Sequence, residues 1–147
     1  MKLKLIIVYF LFLQACNSGA QIHSQNLIGK WRLITDYSLP VSALDQEELN
    51  DIRSQDLSIS NEGVQFYGNN NCRNIIGSIS LKEYSTELVN MSNYCYDNRV
   101  TMGHLGIRSE TNKVLSASKD GCYIEIILKQ NGNILIPFKG VFFEYKR

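Results

Sequence analysis

Residues 122–145, CYIEIILKQNGNILIPFKGVFFEY, decide the fold. Cys122, Ile124, Ile126 and Leu128 alternate with Tyr123, Glu125 and Ile127, the period of two that divides side chains between the faces of a strand. Gln130-Asn131-Gly132-Asn133 follows, and Asn-Gly accepts the positive φ that tight hairpins need. Ile134, Ile136 and Phe138 run back, and Val141, Phe143 and Tyr145 form a further strand after Gly140. Pro137 has no N–H to give to a ladder, so its strand is expected at an edge or with that position facing outward.

The same alternation extends towards the N-terminus. Leu27, Gly29, Trp31, Leu33 and Thr35 share one face of a strand, with Lys30, Arg32 and Asp36 on the other. Val64 and Phe66 continue the pattern after the turn Asn61-Glu62-Gly63. Ile75, Gly77, Ile79 and Leu81 alternate with Ile76, Ser78 and Ser80. Two stretches are less strand-like: Ser42–Ser54 is expected to hold a short helix, with Leu44, Leu49 and Ile52 near one side. Asn98–Ile107 is a second helical candidate that Gly103 and Gly106 weaken. The fold class is therefore mostly β: a small antiparallel β-barrel or sandwich with one or two short helices.

The chain has 147 residues, 44% hydrophobic and 20% charged, with a net charge of +1, which suits one domain and offers no basic footprint for nucleic acid. Residues 1–15 have a composition of their own. Lys2 and Lys4 precede the nine-residue apolar run Leu5–Leu13. A helix of that length rises about 14 Å, far short of the roughly 30 Å hydrocarbon core of a bilayer, so the run reads as a signal peptide and not as a span.

Leu13-Gln14-Ala15-Cys16 then resembles the lipobox of bacterial lipoproteins. That resemblance implies cleavage before Cys16, acylation of its thiol and of the new amine, and membrane lipid as a partner through acylated Cys16. Several acyl chains are needed because one holds a protein only marginally. Gln14 is not among the preferred residues at its position. Asn17–Asn26 is polar and reads with Cys16 as a tether over 16–26, long enough at about 33 Å to hold a domain clear of headgroups. Asn17 is not the aspartate associated with inner-membrane retention, which directs the expectation to the outer membrane of a bacterial cell envelope. Losing Lys2 and Lys4 leaves thirteen basic against fourteen acidic side chains, a net charge of −1.

Beyond the tether, residues 27–147 carry landmarks in the order of the META domain, the HslJ-like family. Leu27-Ile28-Gly29-Lys30-Trp31-Arg32-Leu33 matches its opening Leu-x-Gly-x-Trp-x-Leu strand. Asn71-Cys72-Arg73-Asn74-Ile75-Ile76-Gly77-Ser78 keeps the cysteine and the Gly-Ser of its Gly-Cys-Asn turn, with Asn71 and Arg73 as departures. Cys95 stands near a second family cysteine, although Met91 and Asn93 occupy the Thr and Met places of its Thr-x-Met-x-Cys context. The resemblance implies a lipid-anchored, non-enzymatic protein linked to envelope stress or antibiotic tolerance. The lipocalin-like lipoproteins also begin Leu-x-Gly-x-Trp and are the competing reading: a barrel that binds a small apolar ligand. In both, Trp31 reads as a large apolar plug.

With Cys16 lipidated, three cysteines remain. Cys122 shares the face of Ile124, Ile126 and Leu128 and is expected buried and free. Cys72 and Cys95 lie in polar, turn-like surroundings, and a bridge between them would stabilise by about 3 kcal/mol. Catalytic signals are sparse, so the chain reads as a non-enzyme with no cofactor and no metal. His23 lies in the tether and His104 in a glycine-flanked loop; a Cys95–His104 pair is outweighed by the bland reading. There is no metal-binding His-Glu-x-x-His, nucleophile elbow or phosphate loop. Asp45, Glu47, Glu48 and Asp51 read as a solvated helix face, Asn69-Asn70-Asn71 as a turn, and Tyr94, Tyr96 and Arg99 as rim packing.

Overall fold

A computed structural model describes residues 24–39, 42–66, 76–90, 103–108 and 111–147. The signal peptide, Cys16, most of the tether, Cys72 and Cys95 lie outside the described residues. Among the described residues there are eight strands: β1 (Gly29–Ser38), β2 (Leu57–Ser60), β3 (Gly63–Gln65), β4 (Ser85–Asn90), β5 (Thr111–Lys119), β6 (Cys122–Leu128), β7 (Ile134–Phe138) and β8 (Val141–Lys146). They form one antiparallel sheet in the order β3-β2-β1-β8-β7-β6-β5-β4. The sheet curls into a half-barrel, so the mostly β expectation holds.

Turn chemistry builds the β5–β8 half. Lys119 pairs with Cys122, and Phe138 with Val141, across two-residue turns whose central residues all have positive φ: Asp120 (51°) and Gly121 (80°), Lys139 (48°) and Gly140 (82°). That is the twist-matching geometry of a type I′ hairpin. The Asn131-Gly132 turn forms as the sequence predicts, closed by Lys129 N–H to the Asn133 carbonyl at 2.9 Å. β7 is not an edge strand. Its pairing with β6 covers only Ile127↔Leu135 and Leu128↔Ile134, so Pro137 lies beyond the ladder on that side and pairs only towards β8.

The expected helix forms as α1 (Gln46–Arg53), capped by Asp45 Oδ1 accepting from Glu48 N at 2.8 Å. Ile52 faces the sheet and is 2% exposed. With Trp31, Ile59, Val64, Leu115, Ile126, Phe143 and Tyr145 it joins an inner-face core that spans β1 to β8. That one cluster contains residues of β2 and β3 as well as β5 and β6 is the packing consequence of the curl. A smaller outer-face cluster holds Leu105, Ile107, Val114, Ile127, Leu135 and Phe142.

Three expectations need correction. Residues Ile76–Ser80 form a turn of helix, with Ile79 N–H bonded to the Ile76 carbonyl at 3.1 Å, and not an alternating strand. Leu81–Glu83 follows as a 3₁₀ turn in which the Glu83 carboxylate accepts from the Ser80 N–H at 2.7 Å, the acidic half of a capping box. Gly63 (φ 140°) admits this segment, because a Cβ there would run into the carbonyls of Ile76, Gly77 and Ile79. The described end of the second helical candidate, Gly103–Gly106, is a turn closed by Gly106 N–H to the Gly103 carbonyl at 3.0 Å. The face of β1 also changes partway: a bulge between Leu33 and Thr35 leaves Ile34 42% exposed. It puts Thr35 opposite Glu144 and Tyr37 opposite Phe142, on the outer face.

Candidate functional site

The outer face carries a buried charge cluster that the alternation pattern does not announce. Glu144, on β8 between core residues Phe143 and Tyr145, is 4% exposed; Lys129, just past β6, is 8% exposed. The Lys129 ammonium donates to Glu144 Oε1 at 2.6 Å, and Asn133 Nδ2 donates to the same oxygen at 2.7 Å. Tyr37 OH donates to Oε2 at 3.0 Å. Each strand places its group for a definable reason. The β1 bulge turns Tyr37 outward, the β6–β7 hairpin brings Lys129 beside Asn133, and the period of two places Glu144 opposite the inner core.

Burial alone would push the Glu144 carboxyl up. The hydrogen bonds from Lys129, Asn133 and Tyr37, with the lysine charge, outweigh it and hold the group below the usual carboxylate range. Burial pushes the Tyr37 phenol up to about 12, aided by its bond to the Glu144 anion. An ionised carboxylate with three donors is a satisfied group. It anchors β1, β6, β7 and β8 to one another.

Beside the cluster is a cavity of about 480 Å³ lined by Gly106, Arg108, Lys129, Gln130 and Asn131. Gly106 (φ 64°) lies over the Lys129 ammonium, and a Cβ there would stand 3.0 Å from Nζ. Arg108 is exposed at this cavity, and no carboxylate pairs with it among the described residues. The mouth therefore offers one guanidinium, the side-chain amides of Gln130 and Asn131, and an ammonium already neutralised from behind. Such a surface suits reversible polar binding.

Trp31 is 3% exposed and donates its indole N–H to the Leu27 carbonyl at 2.8 Å, the apolar plug that the sequence predicts. Arg147 caps it, 5.9 Å from the ring, and donates to the Asn26 and Ile28 carbonyls. The acidic run is in structural use: Asp45 caps α1, and Glu48 Oε1 accepts from Lys139 Nζ at 2.8 Å. No group of three or more His, Cys, Asp or Glu side chains suited to a metal ion occurs among the described residues. His104 is exposed, in the Gly103–Gly106 turn whose Leu105 is buried. Its suggested partner Cys95, and Cys16, His23, Asn69-Asn70-Asn71, Cys72, Tyr94, Tyr96 and Arg99, lie outside the described residues.

Cys122 is buried as expected, but it is not free. It is disulfide-bonded. Its inner-face position argued for a small hydrophobe, and a half-cystine fills that same apolar role. Alternation reports which face a sulfur is on and nothing of its oxidation state.

The sequence reading missed Lys129, Glu144, Tyr37 and Asn133. The available signal was Glu144 itself, a lone charge inside the otherwise apolar Val141–Tyr145. No protein-family model, curated protein or solved structure matches this chain. Among the described residues no helix is long and apolar enough to cross a membrane.

Proposed function

We propose that this chain is a lipid-anchored, non-enzymatic protein of the bacterial cell envelope, held at the outer membrane through acylated Cys16. In this reading its META-like domain serves envelope stress or antibiotic tolerance by binding. The observation that carries the reading over its competitor is the inner face of the half-barrel. It is filled by large apolar side chains, with α1 seated on it through Ile52. A lipocalin-like carrier needs that volume for its ligand. The disulfide at Cys122 fits an oxidising compartment beyond the cytoplasm.

Two measurements test the reading. Membrane fractions from cells producing the protein and its Cys16→Ala variant are compared; the anchor predicts that the variant leaves the membrane, and retained attachment contradicts it. A fluorescent apolar probe is then offered to the domain. Saturable binding that a lipid extract displaces stoichiometrically would favour the carrier.

One observation does favour the carrier. The Tyr84 hydroxyl is buried in the inner core and has no hydrogen-bond partner among the described residues, and burial pushes its pKa up. A polar ligand atom reaching into the half-barrel would satisfy it. If the probe binds, Tyr84→Phe should weaken a ligand that carries a hydrogen-bonding headgroup more than one that lacks it.

A further inference from the structure

We infer that the cavity between the Gly103–Gly106 turn and the β6–β7 hairpin binds a small monocarboxylate with an amide-bearing body, gripped by Arg108. The inference gives a ligand class to the binding role proposed above, and it rests on that part of the reading and not on the membrane anchor. Its volume of about 480 Å³ falls within the roughly 300–1,000 Å³ of small-molecule sites.

Arg108 is the grip. A guanidinium presents parallel N–H donors at the spacing of two carboxylate oxygens. Arg53 and Arg147 already spend their donors inside the fold, on the Asp36 carboxylate and on the Asn26 and Ile28 carbonyls. Arg108 is exposed at the cavity, and among the described residues no carboxylate pairs with it.

Lys129 supplies a second positive charge from the cavity wall. Its side chain is only 4% exposed, and its ammonium donates to Glu144 Oε1 at 2.6 Å. An ammonium has three N–H donors. The other two have no acceptor among the described residues, an unusual deficit for so buried a group. Gly106, which also lines the cavity, keeps the approach to the ammonium open, because a Cβ there would stand 3.0 Å from Nζ.

The charge count selects the class. Arg108 and Lys129 bring two positive charges and Glu144 one negative, so the site matches a ligand with a single negative charge. A phosphate dianion would bring a second negative charge towards Glu144, whose attraction for Lys129 it would have to share. The remaining wall is amide. Asn131 Oδ1 accepts from Asn133 N at 3.0 Å, which leaves its Nδ2 to donate, and the Gln130 side chain can both donate and accept. Those groups suit a peptide-like amide beside the carboxylate.

A nuclear magnetic resonance titration of the full chain in non-ionic detergent, at ionic strength fixed with sodium chloride, tests this with N-acetylglycine as the probe. The expected result is saturable shifts at the Gly106 backbone amide and at the Gln130 and Asn131 side-chain amides. The neutral analogue N-acetylglycinamide should bind at least tenfold more weakly, and Arg108→Gln, an exposed substitution outside the core, should weaken N-acetylglycine at least tenfold. Absence of saturable shifts, equal binding of the neutral analogue, or unchanged affinity in Arg108→Gln overturns the site. Tighter binding of inorganic phosphate than of N-acetylglycine overturns the ligand class. A free small acid and a peptide C-terminus present the same chemistry, and tetraglycine separates them. Equal or tighter binding than N-acetylglycine assigns a peptide end, weaker binding a free acid, and the carboxylate site stands in both cases. The Cys16→Ala fractionation does not depend on this titration, so the anchor and the cavity can fail separately.

Discussion

The two faces of the sheet are buried by different means. On the inner face Trp31, Ile126, Phe143 and Tyr145 exclude water with apolar surface continuous from β2 to β6. On the outer face a much smaller apolar patch under Leu105 and Ile107 adjoins a lysine and a glutamate that are both buried. Apolar contacts are non-directional and follow the curl of the sheet wherever it goes. The outer cluster is directional, since one carboxylate receives three donors, one from β1 and two from the β6–β7 hairpin. The inner face therefore supplies most of the stability, and the outer cluster fixes register among β1, β6, β7 and β8.

The first way to break this contrast is to cut into each face. Phe143 has no exposed surface and its ring lies 5.9 Å from Phe66. Phe143→Ala should destabilise by about 4 kcal/mol, the cost of lost burial plus a cavity, measured by denaturant unfolding. Lys129→Met should cost about 3 kcal/mol, because it leaves the Glu144 charge buried with only neutral donors. The double variant Lys129→Met/Glu144→Leu separates the two faces further. If the pair fixes register more than it adds stability, the double variant recovers most of the loss, whereas no second substitution of that kind repairs Phe143→Ala. A double variant as unstable as Lys129→Met alone would mean that the ion pair is itself a main source of stability.

How much of this was legible in the sequence also divides by face. β6, β7 and β8 were readable because their inner residues alternate and their turns carry Asn131-Gly132 and Gly140. β5 was not: in Thr111–Lys119, Val114 packs outward while Leu115 and Ala117 pack inward, so burial on both faces erases the alternation. β4 was missed as well. Ile76–Leu81 misled in the opposite sense, since its isoleucines mimic a strand, yet Ile76 and Ile79 are buried at helical spacing on one turn. The outer cluster was illegible because Tyr37 reaches Glu144 only after the Leu33/Thr35 bulge, and a bulge leaves no mark in the hydrophobic period. The cavity beside Arg108 was illegible for a related reason, as its walls come from two turns brought together by tertiary packing.

The pH dependence of stability sharpens the contrast, since Glu144 and Tyr37 of the outer cluster are shifted in opposite directions from their ordinary values. Glu144 is held below the ordinary glutamate value of about 4.3. Its contribution is thus fully present above that value and is lost as pH falls through the lower folded-state pKa. Glu144→Gln should flatten this part of the acid limb in thermal melts across pH. Tyr37 has the opposite sign: its folded-state pKa is raised from about 10 to about 12, so its contribution is present below pH 10 and lost as pH rises towards 12. Tyr37→Phe should remove that alkaline loss. An unchanged acid limb in Glu144→Gln would show that other carboxylates control it.

The smallest expected effect uses the same chemistry in a different setting. Arg53 Nε and Nη2 bind the two oxygens of Asp36 at 2.9 Å each, a bidentate pair whose geometry equals or exceeds that of Lys129–Glu144. It joins α1 to β1, but the arginine side chain is 43% exposed. Water competes for both partners, and the Arg53 side chain must give up rotamer freedom to hold one geometry. Arg53→Ala should therefore cost no more than about 1 kcal/mol, and high salt should reduce that loss further while leaving the Lys129→Met loss nearly unchanged. A loss near that of Lys129→Met would mean that the ion pair, and not Ile52 packing, holds α1 on the sheet. Burial, rather than bond geometry, would then no longer be what separates the two pairs.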